Sequence, residues 1–339
     1  MIRRPVILDV DTGNDDAVAV TMAATHPAIE LLGCTTVAGN LSLEETTDNT
    51  LRVLNAIDRS DIEVHAGLSR PFAPRPYASS ASEVEGVFHQ STLPVGTSGL
   101  QPRSWHGVEW LIETLRQTTR QVTLIPVAPL TNIAAAITVA PDILDAIDEV
   151  VFMGGASTFG NRTAAAEFNV YTDAVAANVV LRAGIRRLTM AALDATHEVL
   201  VSQDDLHRYR ALGTRAGDVA SAVTEYYIGG YKASVGPIEA GSSAPPHDAL
   251  CVAYAIDPKV LDITEAYVEV DTVSLCNYGR TTVDFHGYRD EPANVRFAKH
   301  ADSARFHQIL DECLRGGTVR SSAGSVSDLV GDDVIACQC

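Results

Sequence analysis

Lysine is nearly absent from this 339-residue chain: Lys232, Lys259 and Lys299 are the only three, and arginine carries the rest of the positive charge. Acidic residues outnumber basic ones 43 to 25, which leaves a formal net charge of −18. A surface of that sign repels phosphate backbones and anionic headgroups, so nucleic-acid and membrane partners are disfavoured and a neutral small molecule fits better. Long apolar runs are missing too: none reaches the ~20 residues that span a bilayer. The apolar stretch after Arg3-Arg4 is too short for a secretory leader, and a cytoplasmic location is the expectation. Paired cysteine motifs are lacking. The six cysteines are irregularly spaced, and Cys34 and Cys251 sit in apolar runs, as free buried thiols of a reducing compartment do. Cys337-Gln-Cys339 offers two thiols where a zinc site needs four ligands.

What is present is ample apolar material, 46% of the chain, in a strand–helix rhythm. Val6–Val10, Ile29–Val37, Ile62–His65, Val122–Val127, Val150–Met153 and Arg187–Ala191 read as strands. Helical stretches lie between them: Asp15–His26, Glu44–Ile57, Trp105–Leu115, Leu130–Val139 and Thr172–Ala183. This alternation predicts an α/β fold, one domain with a mostly parallel central sheet flanked by helices. From Asp194 to about Val235 the chain reads as helical, and His247–Ile256 as a helix entered through Pro245-Pro246. Tyr267–Asp271 and Arg280–His286 alternate like antiparallel strands, a small element near the C-terminus. Ala301–Leu314 is a last amphipathic helix, and 316–339 is a Ser/Gly-rich tail beyond a domain spanning 1–315. Ligands of such sheets bind at the carboxyl ends of the strands. There the sequence places Asp9–Asp16, Gly39-Asn40, Val127–Asn132, the small, polar stretch Gly154–Asn169, and Asp194.

Asp9-Val10-Asp11-Thr12-Gly13-Asn14-Asp15-Asp16 puts four carboxylates within eight residues at a strand-to-helix junction. Helix capping accounts for one or two of them. Capping leaves Asp9 and Asp11 unexplained, and like charges so close repel unless a cation sits among them. Oxygen-only donors select a hard cation, Ca²⁺ or Mg²⁺, and a crowded carboxylate set suits calcium. The spacing excludes an EF-hand loop.

Asp9–Ala17 resembles the N-terminal signature of the inosine–uridine nucleoside hydrolase family, whose last five residues usually read Gly, apolar, Asp, Asp, Ala. Leu130-Thr131-Asn132-Ile133-Ala134, Glu167-Phe168-Asn169 and His247-Asp248 resemble its later blocks, in the family's order. The resemblance runs over roughly residues 4–315. It implies a ribonucleoside hydrolase of purine or pyrimidine salvage, with calcium at the strand ends and a homodimeric or homotetrameric assembly. Carried over by position, Asp11, Asp16, Asp248 and the Val127 carbonyl would hold the metal. Asp11 would also be general base on the metal-bound water. Asp15 and Asn40 would hold ribose hydroxyls, and Asn161, Glu167 and Asn169 the 5′ side. Met153 and Phe168 would pack near the ring. His247, beside Asp248, is the candidate acid for the leaving base.

Two departures bear on the resemblance. Many members carry His-Gly in a flap loop, where this chain reads Glu85-Gly86 with His89 slightly later. Thr12 replaces a usual proline. Tyr226, Tyr227 and Tyr231 read as helix aromatics packed in the core, with stacking on a base as the alternative. His197, His207 and His300 show no ligand spacing. The alternatives from other classes are an aspartyl-nucleophile phosphatase, which Asp-x-Asp-x also suits, and a calcium-dependent nucleoside-binding protein without turnover.

Overall fold

The computed structural model describes residues 3–74, 88–233 and 242–319. Its first strand, β1 (Arg4–Val10), shows how the core is divided. Side chains of a strand point alternately to opposite faces. Val6, Leu8 and Val10 accordingly enter one hydrophobic cluster and Ile7 the other. Burial on both faces is the condition of a central parallel strand, and it explains why this segment reads as a continuous apolar run.

Beside β1 lie β2 (Ile29–Thr36) and β3 (Val64–Ala66) on one side. On the other side come β4 (Val122–Pro126), β5 (Ile147–Met153) and β6 (Leu188–Ala191). All five pairings are parallel. β7 (Val201–Ser202) and β8 (Ser243–Ala244) form a separate antiparallel ribbon. β9 (Leu261–Val270), β10 (Thr281–Asp284) and β11 (Val295–Ala301) complete a nine-stranded sheet of order β10-β9-β11-β6-β5-β4-β1-β2-β3. β9 runs antiparallel to both its neighbours. The chain leaves β1 toward β3 and then returns to β4 on β1's far side. The reversal falls between β1 and β4, where open α/β sheets open their ligand crevice.

Helix α1 (Asn14–Thr25) is buried along nearly its whole length, against helices Arg215–Ala233, Ala249–Ile256 and Ser303–Arg315. Helix α2 (Leu43–Ala56) packs beside it and is entered through Ser42, whose hydroxyl accepts from the Glu45 amide at 3.3 Å. Helices Gly107–Gln117, Thr131–Val139 and Ala174–Arg182 pack on one another in the second cluster.

The structure differs from the sequence reading in two places. The stretch from Asp194 is not one helix: it is broken by β7 and by Gly213 at φ +68°, a left-handed backbone suited to glycine. β11 is a strand that periodicity did not announce, and it lies parallel to β6. Glu85, Gly86 and the tail beyond residue 319 lie outside the described residues.

Candidate active site

The site is built where β1 gives way to α1. Asp16 does the capping: its carboxylate accepts from the Gly13 amide at 3.0 Å and the Asp11 amide at 3.1 Å. Asp11 points to the next loop, and its Oδ2 accepts from the Asn40 amide at 2.6 Å. That approach needs Gly39, because a Cβ there would collide with Asp11 Oδ2. The Asn40 side chain donates to Asp16 at 3.2 Å. Asp9 faces elsewhere, accepting from Thr35 at 2.6 Å and Asn132 at 2.7 Å. It ties β1 to β2 and to helix Thr131–Val139. Thr12 bonds Thr50 of α2 at 2.7 Å.

Asp248 arrives from the distant half of the chain, at the head of helix Ala249–Ile256. Oxygens of Asp15, Asp16 and Asp248 lie within 4.8 Å of one another, and all three residues are buried. Asp11 stands outside this trio, but its Oδ1, like Asp15 Oδ1, meets no donor among the described residues. Burial, then the Asp16 charge, raises the pKa of Asp15 to about 8 and lifts Asp11 well above the ordinary carboxylate range. Burial, then the Asp15 charge, does the same to Asp248. Among the described residues no Lys or Arg forms an ion pair with them; the nearest base is His89, with Nδ1 4.0 Å from Asp15. Bare, dehydrated carboxylate oxygens with no counter-charge fit a hard cation. Asp11, Asp15, Asp16 and Asp248 are the side chains able to hold one.

The β4 and β5 ends close a second side. The Asn169 side-chain Nδ2 donates to the carbonyls of Val127 at 3.0 Å and Met153 at 3.2 Å. Glu167 caps the short helix Phe168–Thr172, accepting from Asn169 and Val170, and it also accepts from the Gly155 amide at 2.9 Å. Burial lifts its pKa to about 7. Asn161 is exposed and accepts from the Phe168 amide at 2.9 Å. The predicted sugar-side residues thus share one loop, which Asp194 also braces by accepting from the Ser157 amide at 2.8 Å.

An aromatic wall forms the third side. His247 is buried and bonded at both nitrogens, to the Thr196 hydroxyl at 2.7 Å and the Tyr231 hydroxyl at 2.8 Å. Burial, then the neighbouring His197 and His89, pushes its pKa well below the usual imidazole value. Tyr227 donates to Asp15 Oδ2 at 3.3 Å. Phe88 meets Tyr227 and Tyr231 edge-on, and His89 lies 5.5 Å from the Tyr227 ring. His197 sits 5.2 Å from both His247 and Phe159. The sequence reading gave Tyr227 and Tyr231 to the core. They are packed inward, but their hydroxyls touch Asp15 and His247. Their spacing of four residues, one helical turn, was the available signal.

The sequence profile of the inosine-uridine preferring nucleoside hydrolase family matches residues 6–308. The chain belongs to this family. It is an N-glycosyl hydrolase of ribonucleosides, and the phosphatase alternative falls away. The pyrimidine-specific ribonucleoside hydrolase RihB of Escherichia coli is 38% identical over 316 residues, covering 93% of this chain and 98% of that protein. The purine-preferring ribonucleoside hydrolase of Gardnerella vaginalis superposes with a TM-score of 0.84 at 29% identity, over 92% of this chain and 98% of its own. A plant nucleoside hydrolase shares the fold, with a TM-score of 0.80 at 24% identity over 93% and 99% of the two chains.

Proposed function

We propose that this enzyme releases ribose and free base by direct attack of water on the N-glycosidic bond, with inversion at the anomeric carbon. The observation that carries the reading is the buried carboxylate cluster, with Asp11 Oδ1 and Asp15 Oδ1 accepting no hydrogen bond among the described residues, set against an aromatic wall. We assign the cation as calcium, which Asp11, Asp16, Asp248 and the Val127 carbonyl would hold, because every donor is oxygen and a crowded carboxylate set suits its larger shell. When bound, it would supply the charge that orients and acidifies a water beside the ribose.

Asp11 is the proposed base: burial raises its affinity for a proton, and its Oδ1 is free of donors among the described residues. Asp15 and Asn40 hold ribose hydroxyls, and Asn161, Glu167 and Asn169 hold the 5′ side. Met153 and Phe168 pack near the sugar. Carboxylates around the ring stabilise the oxocarbenium-like transition state. His247, sharing a hydrogen bond with Tyr231, is the acid we assign to the departing base, where the negative charge that develops on the base opposes the burial that keeps the ring neutral. A homodimer or homotetramer is the assembly that the family resemblance implies, and the cytoplasm is the location that the sequence leads us to propose. Among the described residues no helix is long and apolar enough to cross a membrane.

The test is reducing-sugar release from inosine, uridine, adenosine, guanosine and cytidine. Both base classes belong in the panel, since the two relatives' names divide between them. Ribose from at least one supports the reading. Tight binding of a nucleoside with no ribose from any would replace it with the binding-protein alternative.

A further inference from the structure

Glu149 is a carboxylate with no exposed surface, set in β5 on the same strand as Met153. A buried charge is costly unless it is paired and hydrogen-bonded, and this one is. Its Oε2 accepts from Arg187 at 2.6 Å. Its Oε1 accepts from Thr189 of β6 at 2.7 Å and from Arg296 of β11 at 2.8 Å. Those donors belong to the sheet and its edge. One more comes from outside it. The hydroxyl of Tyr254, a residue 1% exposed in helix Ala249–Ile256, donates to Glu149 Oε1 at 3.1 Å and accepts from Arg296 at 2.8 Å.

That helix carries Asp248 at its head, and Ala249 to Ala255 are all buried. Asp248 makes no side-chain capping bond, which leaves its carboxylate to face Asp15 and Asp16. The helix is apolar apart from Tyr254 and the Cys251 thiol. Apolar contacts are non-directional, so they hold a helix in the core without strictly fixing its rotation or slide. Among the described residues, side-chain hydrogen bonds hold the segment from His247 to Ile256 at two points. His247, bonded to Thr196 and Tyr231, pins the head. Tyr254 pins a point about 9 Å farther along the axis, at a rise of about 1.5 Å per residue. One pin leaves the helix free to swing; two fix its axis and, with it, the place of Asp248. We propose that Tyr254 is a positioning residue, which keys this helix to the Glu149–Arg296 pair so that Asp248 completes the cation site. The proposal rests on the metal reading above.

The test is calcium affinity, measured by titration against a competing chelator in the wild type, Tyr254→Phe and Thr189→Val. Each variant deletes one hydroxyl from the same buried carboxylate, but only Tyr254 belongs to the helix that carries Asp248. Tyr254→Phe keeps the ring in the core, and Glu149 keeps Arg187, Thr189 and Arg296, so the fold stands. Its calcium Kd rises about tenfold, the scale of losing a group that orients a metal ligand. At saturating calcium its kcat on the best nucleoside of the panel stays within about twofold. Thr189→Val lowers the melting temperature comparably and leaves the calcium Kd within about twofold. Unchanged calcium affinity in Tyr254→Phe, or an equal loss in Thr189→Val, overturns the proposal while leaving the metal reading intact. A wild type that binds no calcium removes both.

Discussion

Asp9 and Asp11 stand two residues apart on one strand end and face different partners. Asp9 Oδ1 accepts from Thr35 and Asn132 and Asp11 Oδ2 from the Asn40 amide, and the other oxygen of each meets no donor among the described residues. The sequence showed a surplus of carboxylates but not this division, because it depends on partners up to 123 residues away. The convergence of Asp15, Asp16 and Asp248 was legible only through the family's blocks, since no local spacing links residue 16 to 248. The bond from Tyr231 to His247 was not read at all. It makes a specific prediction at the same scale. His247→Asn lowers kcat on nucleosides about 10²-fold, a typical general-acid contribution, and lowers it far less on p-nitrophenyl riboside, whose leaving group departs without a proton. Equal losses on both substrates would assign His247 to structure instead.

The β1–α1 junction is the element on which the site depends. Its strand was readable because Val6, Leu8 and Val10 fill one core and Ile7 the other. The loop after β2 was readable only as polar, yet Gly39 decides whether the Asn40 amide reaches Asp11. Gly39→Ala should leave the circular dichroism spectrum unchanged and cut kcat/KM about 10²-fold, the cost of displacing a catalytic group by about an ångström. Retained activity would show that the loop yields. β11 escaped the sequence reading because Arg296 and the adjacent Lys299-His300 interrupt the apolar residues of Val295–Ala301 without a regular period. Its Arg296 is in fact paired with the fully buried Glu149 at 2.8 Å. A charge whose partner lies 147 residues away cannot be recognised as interior from its neighbours. The broken helix after Asp194 was missed for a simpler reason: apolar residues at helical spacing persist across the turn at Gly213.

At the scale of the molecule, a chain of net charge −18 concentrates further buried acid at one point of its sheet. Asp9 and Asp15 have folded-state pKa values of about 7 and about 8 against an ordinary 3.8. Stability from groups so raised is complete below the ordinary value and is lost as pH rises through the folded one. Buried His89, with its pKa lowered to about 4, acts in the opposite sense, but only below its ordinary 6.5. Chelator-treated protein should therefore lose melting temperature between pH 7 and 9, and calcium should restore more at pH 9 than at pH 7. Equal restoration at both would mean that the ionisation of buried Asp15 is not what calcium offsets. The central claim is metal-assisted attack with Asp11 as base, and ribose release by calcium-loaded wild type, chelated wild type and calcium-loaded Asp11→Ala tests it most directly. The account predicts release in the first alone, with Asp11→Ala slower by at least about 10²-fold. Undiminished release from Asp11→Ala would contradict it.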